Sequence, residues 1–166
     1  MQELTENEIR ASFVNATKGE AKRLTVPKDL AARPWDDLDF LGWRDPAAPQ
    51  RAYVVAATGG SATGVALRLA DSSAGRRRRN MCAVCLTTHP GDGVALMTAR
   101  KAGRSGQHGN SVGTYLCSDL ACSLYVRGLR SAGAGARLQE SLSVDDQVDR
   151  LLSRLHGFLD SVTRAA

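Results

Sequence analysis

Four cysteines constrain this chain more than any other feature. They form two close pairs, Cys82-Ala83-Val84-Cys85 and Cys117-Ser118-Asp119-Leu120-Ala121-Cys122, and the 166 residues contain no others. The opening stretch MQELTENEIRASF is acidic and polar, where a secretory leader would be basic and then apolar. No run approaches the ~20 apolar residues that a membrane span requires. Both features lead us to expect a cytoplasmic protein with no membrane contact. In that reducing setting, paired cysteines read as metal ligands before they read as disulfides. Four soft thiolates suit tetrahedral zinc, which has no redox chemistry of its own.

The spacing adds geometry. A two-residue gap is that of a knuckle turn, in which two sulfurs and nearby backbone N–H groups converge on the ion. The second pair straddles an expected strand end and helix start. Cys122 then falls in the first turn of the helix, where the macrodipole favours a thiolate. A knuckle, a hairpin and a helix that brings the last ligand make a treble-clef zinc finger, here spanning 80–128. The expected cofactor is one structural Zn2+ on Cys82, Cys85, Cys117 and Cys122. Four protein ligands leave no position for a reacting water. His89 could replace a ligand, but with four cysteines available it is read as a loop residue. A thioredoxin-like pair is the alternative, but Thr87 to Gly91 (TTHPG) reads as a turn, not as the helix that motif needs.

The rest of the chain reads as an α+β fold: a small antiparallel sheet carrying the finger, with flanking helices, in one domain over 1–166. That length buries a core without disulfide staples. Aromatic residues make up only 5%, so the core is expected to be aliphatic. Thr5 with Glu8 forms a capping box, and the helix it starts is expected to stop at Lys18-Gly19. Leu24 to Pro27 reads as extended. Trp35, Phe40 and Trp43 read as anchors that pin a turn to the core. Arg51 to Ala57 and Gly64 to Ala70 form a hairpin about Gly59-Gly60-Ser61-Ala62-Thr63. Gly93 to Arg100 and Ser111 to Cys117 form a second hairpin, joined by a basic loop over 101–110. A short helix follows over 119–127. An amphipathic helix over 143–164 opens with a Ser143/Asp146 capping box and turns Val144, Val148, Leu151, Leu152, Leu155, Leu159 and Val162 to one face.

Catalytic motifs are not legible. Gly59-Gly60-Ser61-Ala62-Thr63-Gly64 is glycine-rich but lacks a phosphate-loop lysine and lies between two strands. His89, His108 and His156 are scattered. Asp36, Asp37 and Asp39 read as a helix start or a solvated turn and not as paired catalytic carboxylates. We therefore expect no enzyme. The formal net charge of +5 favours acidic partners. Arg76, Arg77, Arg78 and Arg79 run straight into the knuckle, and Arg100, Lys101, Arg104 and His108 sit on the finger's loop. The arginine run reads either as a solvated linker or as a grip on phosphate or on an acidic protein face. The stretch has no interleaved aromatics for base stacking.

Several segments resemble the C-terminal treble-clef domain of the elongation factor G-binding proteins, the group that includes fusidic-acid resistance proteins. They are Leu38-Asp39-Phe40-Leu41-Gly42-Trp43-Arg44-Asp45, Cys82-Ala83-Val84-Cys85, Gly113-Thr114-Tyr115-Leu116-Cys117-Ser118-Asp119 and Cys122. The resemblance implies a structural zinc on the four cysteines. It also implies binding to elongation factor G, with an effect on that factor's release from the ribosome. The partner face it implies is the finger with its loop 100–112. That face takes in Arg76 to Arg79, Arg100, Lys101, Arg104, His108, Tyr115, Tyr125 and Arg127. Two other readings stay open beside it: an RNA- or ribosome-binding basic finger without factor contact, and a thiol redox protein.

Overall fold

The computed structural model describes residues 1–70 and 79–164. In chain order the strands are β1 (Phe40–Arg44), β2 (Arg51–Thr58), β3 (Ser61–Leu69), β4 (Asn80–Met81), β5 (Thr88–His89), β6 (Val94–Arg100) and β7 (Ser111–Cys117). The helices are α1 (Glu6–Ala11), α2 (Lys18–Arg23), α3 (Gly103–Gln107), α4 (Cys122–Val126) and α5 (Val144–Thr163). Five strands form one antiparallel sheet in the order β1-β2-β3-β6-β7, while β4 and β5 form a separate ribbon. The expected class, an antiparallel sheet with a cysteine finger and flanking helices, is the class observed.

Strand β2 is buried on both faces because its alternate residues serve two cores. Ala52, Val54 and Ala56 point to one side and meet Val65, Leu67, Met97 and the α5 residues Leu151, Leu155 and Leu159. Tyr53 and Val55 point to the other side and meet Ile9, Leu24, Val26, Trp35, Leu41 and Trp43. The cysteines belong to the first core. Strands β3 and β6 pair only through Arg68↔Thr98 and Leu69↔Met97, so that seam is short. Helix α5 braces it. Arg154 donates to the Ala83 carbonyl at 2.9 Å, His156 Nε2 meets the Ala57 carbonyl at 3.0 Å, and the Val162 carbonyl accepts from Ala102 N at 2.8 Å. Among the described residues no helix is long and apolar enough to cross a membrane.

Local differences from expectation each have a cause. Helix α1 stops at Ala11, and Thr17 with Glu20 builds a second capping box that starts α2. Between them the chain docks on β3 where β6 does not reach: Val14 N donates to the Gly64 carbonyl and Gly64 N to the Ser12 carbonyl, both at 2.9 Å. The first hairpin turns on Gly59-Gly60 alone, because both glycines take positive φ (56° and 86°) and close a two-residue turn. Phe40–Arg44 is a strand, not part of a turn, since every residue of it pairs with β2. The loop 101–110 contains α3. Helix α4 begins only at Cys122, because Leu120 sits at φ 57°, outside the helical region. Helix α5 buries Gln147 and Phe158 in addition to Leu151, Leu155, Leu159 and Val162, half-buries Val148 and Leu152, and leaves Val144 exposed.

One close approach ties the sheet to the finger. A Cβ at Gly42 of β1 would lie 2.6 Å from Leu120 Cβ. Gly42→Ala should therefore push β1 away from the second cysteine turn. We expect a destabilisation of about 1–3 kcal/mol, the range for overpacking, read from the denaturant midpoint of zinc-loaded protein.

Candidate metal centre

The ribbon β4–β5 carries the first pair, with Cys82 N donating to the Thr87 carbonyl at 2.9 Å. Thr88 and His89, expected in a turn, are its return strand. Cys117 ends β7 and Cys122 starts α4. Three separate elements thus deliver four sulfurs, all buried and all within 4.8 Å of one another. Zinc–sulfur bonds of about 2.3 Å in a tetrahedron set sulfurs about 3.8 Å apart. Cys82 and Cys122 stand at 3.7 Å, and Cys85 and Cys117 at 3.5 Å. The cluster fits one structural zinc.

The electrostatics say the same. Hydrogen bonding from Cys117, then Cys122 and Cys85, pulls the Cys82 thiol far below the ordinary thiol range. The same contacts, led by Cys117, push Cys122 far above it. The polypeptide alone thus favours ionisation of Cys82 and opposes that of Cys117 and Cys122. Only a cation lets all four ionise in so small a buried volume.

The backbone around the site is shaped to the same end. Leu86 and Leu120 are the non-glycine residues at positive φ among those described, at 60° and 57°. Leu86 follows the Cys82–Cys85 turn and Leu120 lies within the Cys117–Cys122 turn, each at a cost on the order of 1 kcal/mol that the coordination holds in place. Val84 N points at Cys82 Sγ, 3.4 Å away. Thr87 Oγ1 lies 3.3 Å from Cys85 Sγ and donates to it once the sulfur is a thiolate.

His89 is the functional residue that sequence reasoning placed wrongly. It is buried on β5, with Nε2 3.3 Å from Cys117 Sγ and its ring edge-on to Tyr125 at 4.7 Å. Burial lowers its pKa, so the ring is neutral near pH 7 and has one N–H to give. With that proton on Nε2 it donates to the Cys117 sulfur. Gly93 leaves the space for it, since a Cβ there would lie 2.5 Å from His89 Cβ. The pairing of a histidine four residues past the knuckle with a glycine four further on was the available signal.

Of the expected partner residues, Arg76, Arg77 and Arg78 lie outside the described residues. Arg79 is exposed and donates to the Ala134 carbonyl at 3.1 Å. Arg104 and His108 are exposed on α3, Lys101 reaches the Arg164 carbonyl at 3.4 Å, and Arg100 pairs with Glu20 at 3.0 Å. These four sit at the far end of the β6–β7 hairpin from the cysteines: Val94 is opposite Cys117, and Arg100 is six positions on, about 20 Å at strand rise. Tyr115 is 52% exposed beside the knuckle, its carbonyl accepting from Ala83 N at 2.8 Å.

Tyr125 and Arg127, expected on the partner face, both make internal contacts. Tyr125 is buried and donates its hydroxyl to Asp119 at 2.8 Å; burial, then this bond, raises its pKa. Arg127 forms a fork with Asp39 at 2.6 and 2.8 Å, locking α4 to the entry of β1. Ser123 completes that lock by accepting from Asp39 N at 3.0 Å.

Two outcomes follow for the metal. Cys117→Ser should abolish stoichiometric zinc and the near-UV circular dichroism of the finger, because a structural zinc supplies on the order of 10 kcal/mol of folding free energy. His89→Ala should keep one zinc per chain but weaken its hold about 10- to 100-fold, read as faster capture by a chromogenic chelator.

Two comparisons with known proteins bear on this architecture. A family model described as the FBP C-terminal treble-clef zinc-finger matches residues 8–162. The solved structure of the fusidic acid resistance protein FusC superposes with a TM-score of 0.52 at 13% identity, over 95% of this chain and 64% of that one. The chain thus spans 64% of that structure's length, and the likeness is one of fold. No curated protein matches the sequence. Four buried cysteines on ribbon, strand end and helix start, within a family match that covers nearly the whole chain, place this protein in the FBP C-terminal treble-clef zinc-finger family.

Proposed function

We propose that this chain binds a translation elongation factor of the G type in the cytoplasm and biases that factor's release from the ribosome, with no catalytic step of its own. The family match over residues 8–162 carries this reading. The FusC likeness supports it, since that protein is named for resistance to fusidic acid. The donor set supports a non-catalytic role, because four sulfurs fill a tetrahedral ion and leave no site for water or substrate.

The surface beside the knuckle has the chemistry of a protein contact. Met81 and Tyr115 are about half exposed, at 47% and 52%. Methionine and tyrosine are enriched at interface centres. Arg79 flanks them, and Arg104 and His108 add charge at the α3 end. Those exposed cations favour a second reading, direct contact with RNA. A thiol redox role has less behind it, since all four sulfurs are buried.

Zinc-loaded protein titrated with elongation factor G tests the proposal. We expect micromolar or tighter binding, and a loss of about 30-fold for Tyr115→Ala with its zinc retained, which is the ~2 kcal/mol of an interface hot spot. Absence of factor binding, with RNA binding whose affinity falls steeply with salt, overturns the factor reading in favour of RNA.

A further inference from the structure

The second core ends in a groove of about 680 Å³ that the zinc centre does not use. Its floor is the sheet face of β2, β3 and β6, and α2 and the 48–50 loop form its walls. Four arginines line it: Arg23 from α2, Arg51 from β2, Arg68 from β3 and Arg100 from β6. The one acid in the lining, Glu20, is already committed. Its carboxylate accepts from Thr17 N at 2.7 Å and from Arg100 at 3.0 Å, and the Thr17 backbone bond holds its pKa below the usual range.

The register makes the charge pointed. Arg51 and Arg68 are directly opposite each other in the β2–β3 ladder, so they leave the same face with Cβ atoms about 5 Å apart. Like charges in that position repel and cost stability. Among the described residues, Arg23, Arg51 and Arg68 have no carboxylate partner. Arg51 touches the Tyr53 hydroxyl, which is neutral. Three guanidiniums therefore line one concavity in which, among the described residues, the single lining carboxylate is engaged by Arg100 and Asp45 is buried behind the Tyr53 hydroxyl.

We infer that this groove is a binding site for phosphate groups, with Arg51 and Arg68 as a paired clamp and Arg23 on its rim. A guanidinium fork matches phosphate oxygens two at a time. A carboxylate is filled by one fork, whereas a tetrahedral phosphate presents acceptor oxygens to two forks at once and carries the charge to offset both. The volume admits more than a single phosphate, as a diphosphate or consecutive phosphates of a nucleic acid strand require. The site is separate from the knuckle surface, so it stands or falls independently of factor binding.

The test uses full-length zinc-loaded protein and two probes: a fluorescent single-stranded oligouridine RNA followed by anisotropy, and inorganic pyrophosphate followed by thermal shift. Arg51→Gln/Arg68→Gln is the knock-out variant; both residues are exposed, and zinc content and near-UV circular dichroism report that its fold is intact. Arg51→Lys/Arg68→Lys keeps the charge and removes the forks. We expect at least one probe to bind and to lose 10-fold or more in the Gln variant, with a smaller loss in the Lys variant. RNA binding with a log–log salt slope near −1.4, about −0.7 for each of two phosphates, identifies a strand as the source. Pyrophosphate binding without RNA binding identifies a small phosphorylated ligand. If neither probe binds, or if both bind the Gln variant as they bind the wild type, the inference is overturned.

Discussion

Attraction between four thiolates and one divalent cation is the interaction on which the other contacts depend. The sulfurs come from a two-stranded ribbon, the last residue of β7 and the first residue of α4. Apart from the ion, the ribbon meets β7 and α4 through the Ala83 N–Tyr115 carbonyl bond and through His89, which touches Cys117 and Tyr125. Uncompensated, the thiol cluster favours one thiolate at Cys82 and opposes ionisation of Cys122, and two leucines sit in backbone conformations that leucine avoids. With the charge balanced, Leu120 can press on Gly42, and α4 can present Ser123 and Arg127 to Asp39. The metal thus holds the edge strand of the sheet as well as the finger.

Helix α5 distributes that rigidity. Its middle grips the knuckle through Arg154, and its last turn grips the loop at the opposite end of the β6–β7 hairpin through Val162. The two groups of exposed side chains proposed for partners, Met81 with Tyr115 and Arg104 with His108, therefore sit on one braced frame. Their positions are set by helix packing on the sheet, so a partner meets surfaces that are already in place. Preorganisation of this kind reduces the entropy lost on association.

The features legible in the sequence were those whose chemistry leaves few options. Cysteine spacing, the pairing of both hairpins and the capping boxes at Thr5 and Ser143 are local patterns with local causes, and they stand as expected except that the first hairpin closes more tightly, on Gly59-Gly60. The misreadings came from residues whose role is decided by distant neighbours. Phe40–Arg44 lacks clean alternation because Gly42 makes room for Leu120, so its strand character shows only against β2. His89 looked like a loop residue because nothing nearby in sequence shows that Cys117 is beside it. Tyr125 and Arg127 looked available because Asp119 and Asp39 become their partners only when α4 packs.

The sequence by itself determined the metal, its four ligands, the antiparallel sheet and the amphipathic helix, since ligand spacing and side-chain periodicity act within a few residues. The tertiary structure alone decided which charges are spent and which are free. Arg127 is consumed by an aspartate 88 residues away, whereas Arg51 and Arg68 are brought face to face by strand register and, among the described residues, form no ion pair. Long-range pairing fixes those neighbours, and a charge's meaning depends on its neighbours more than on its position in the chain.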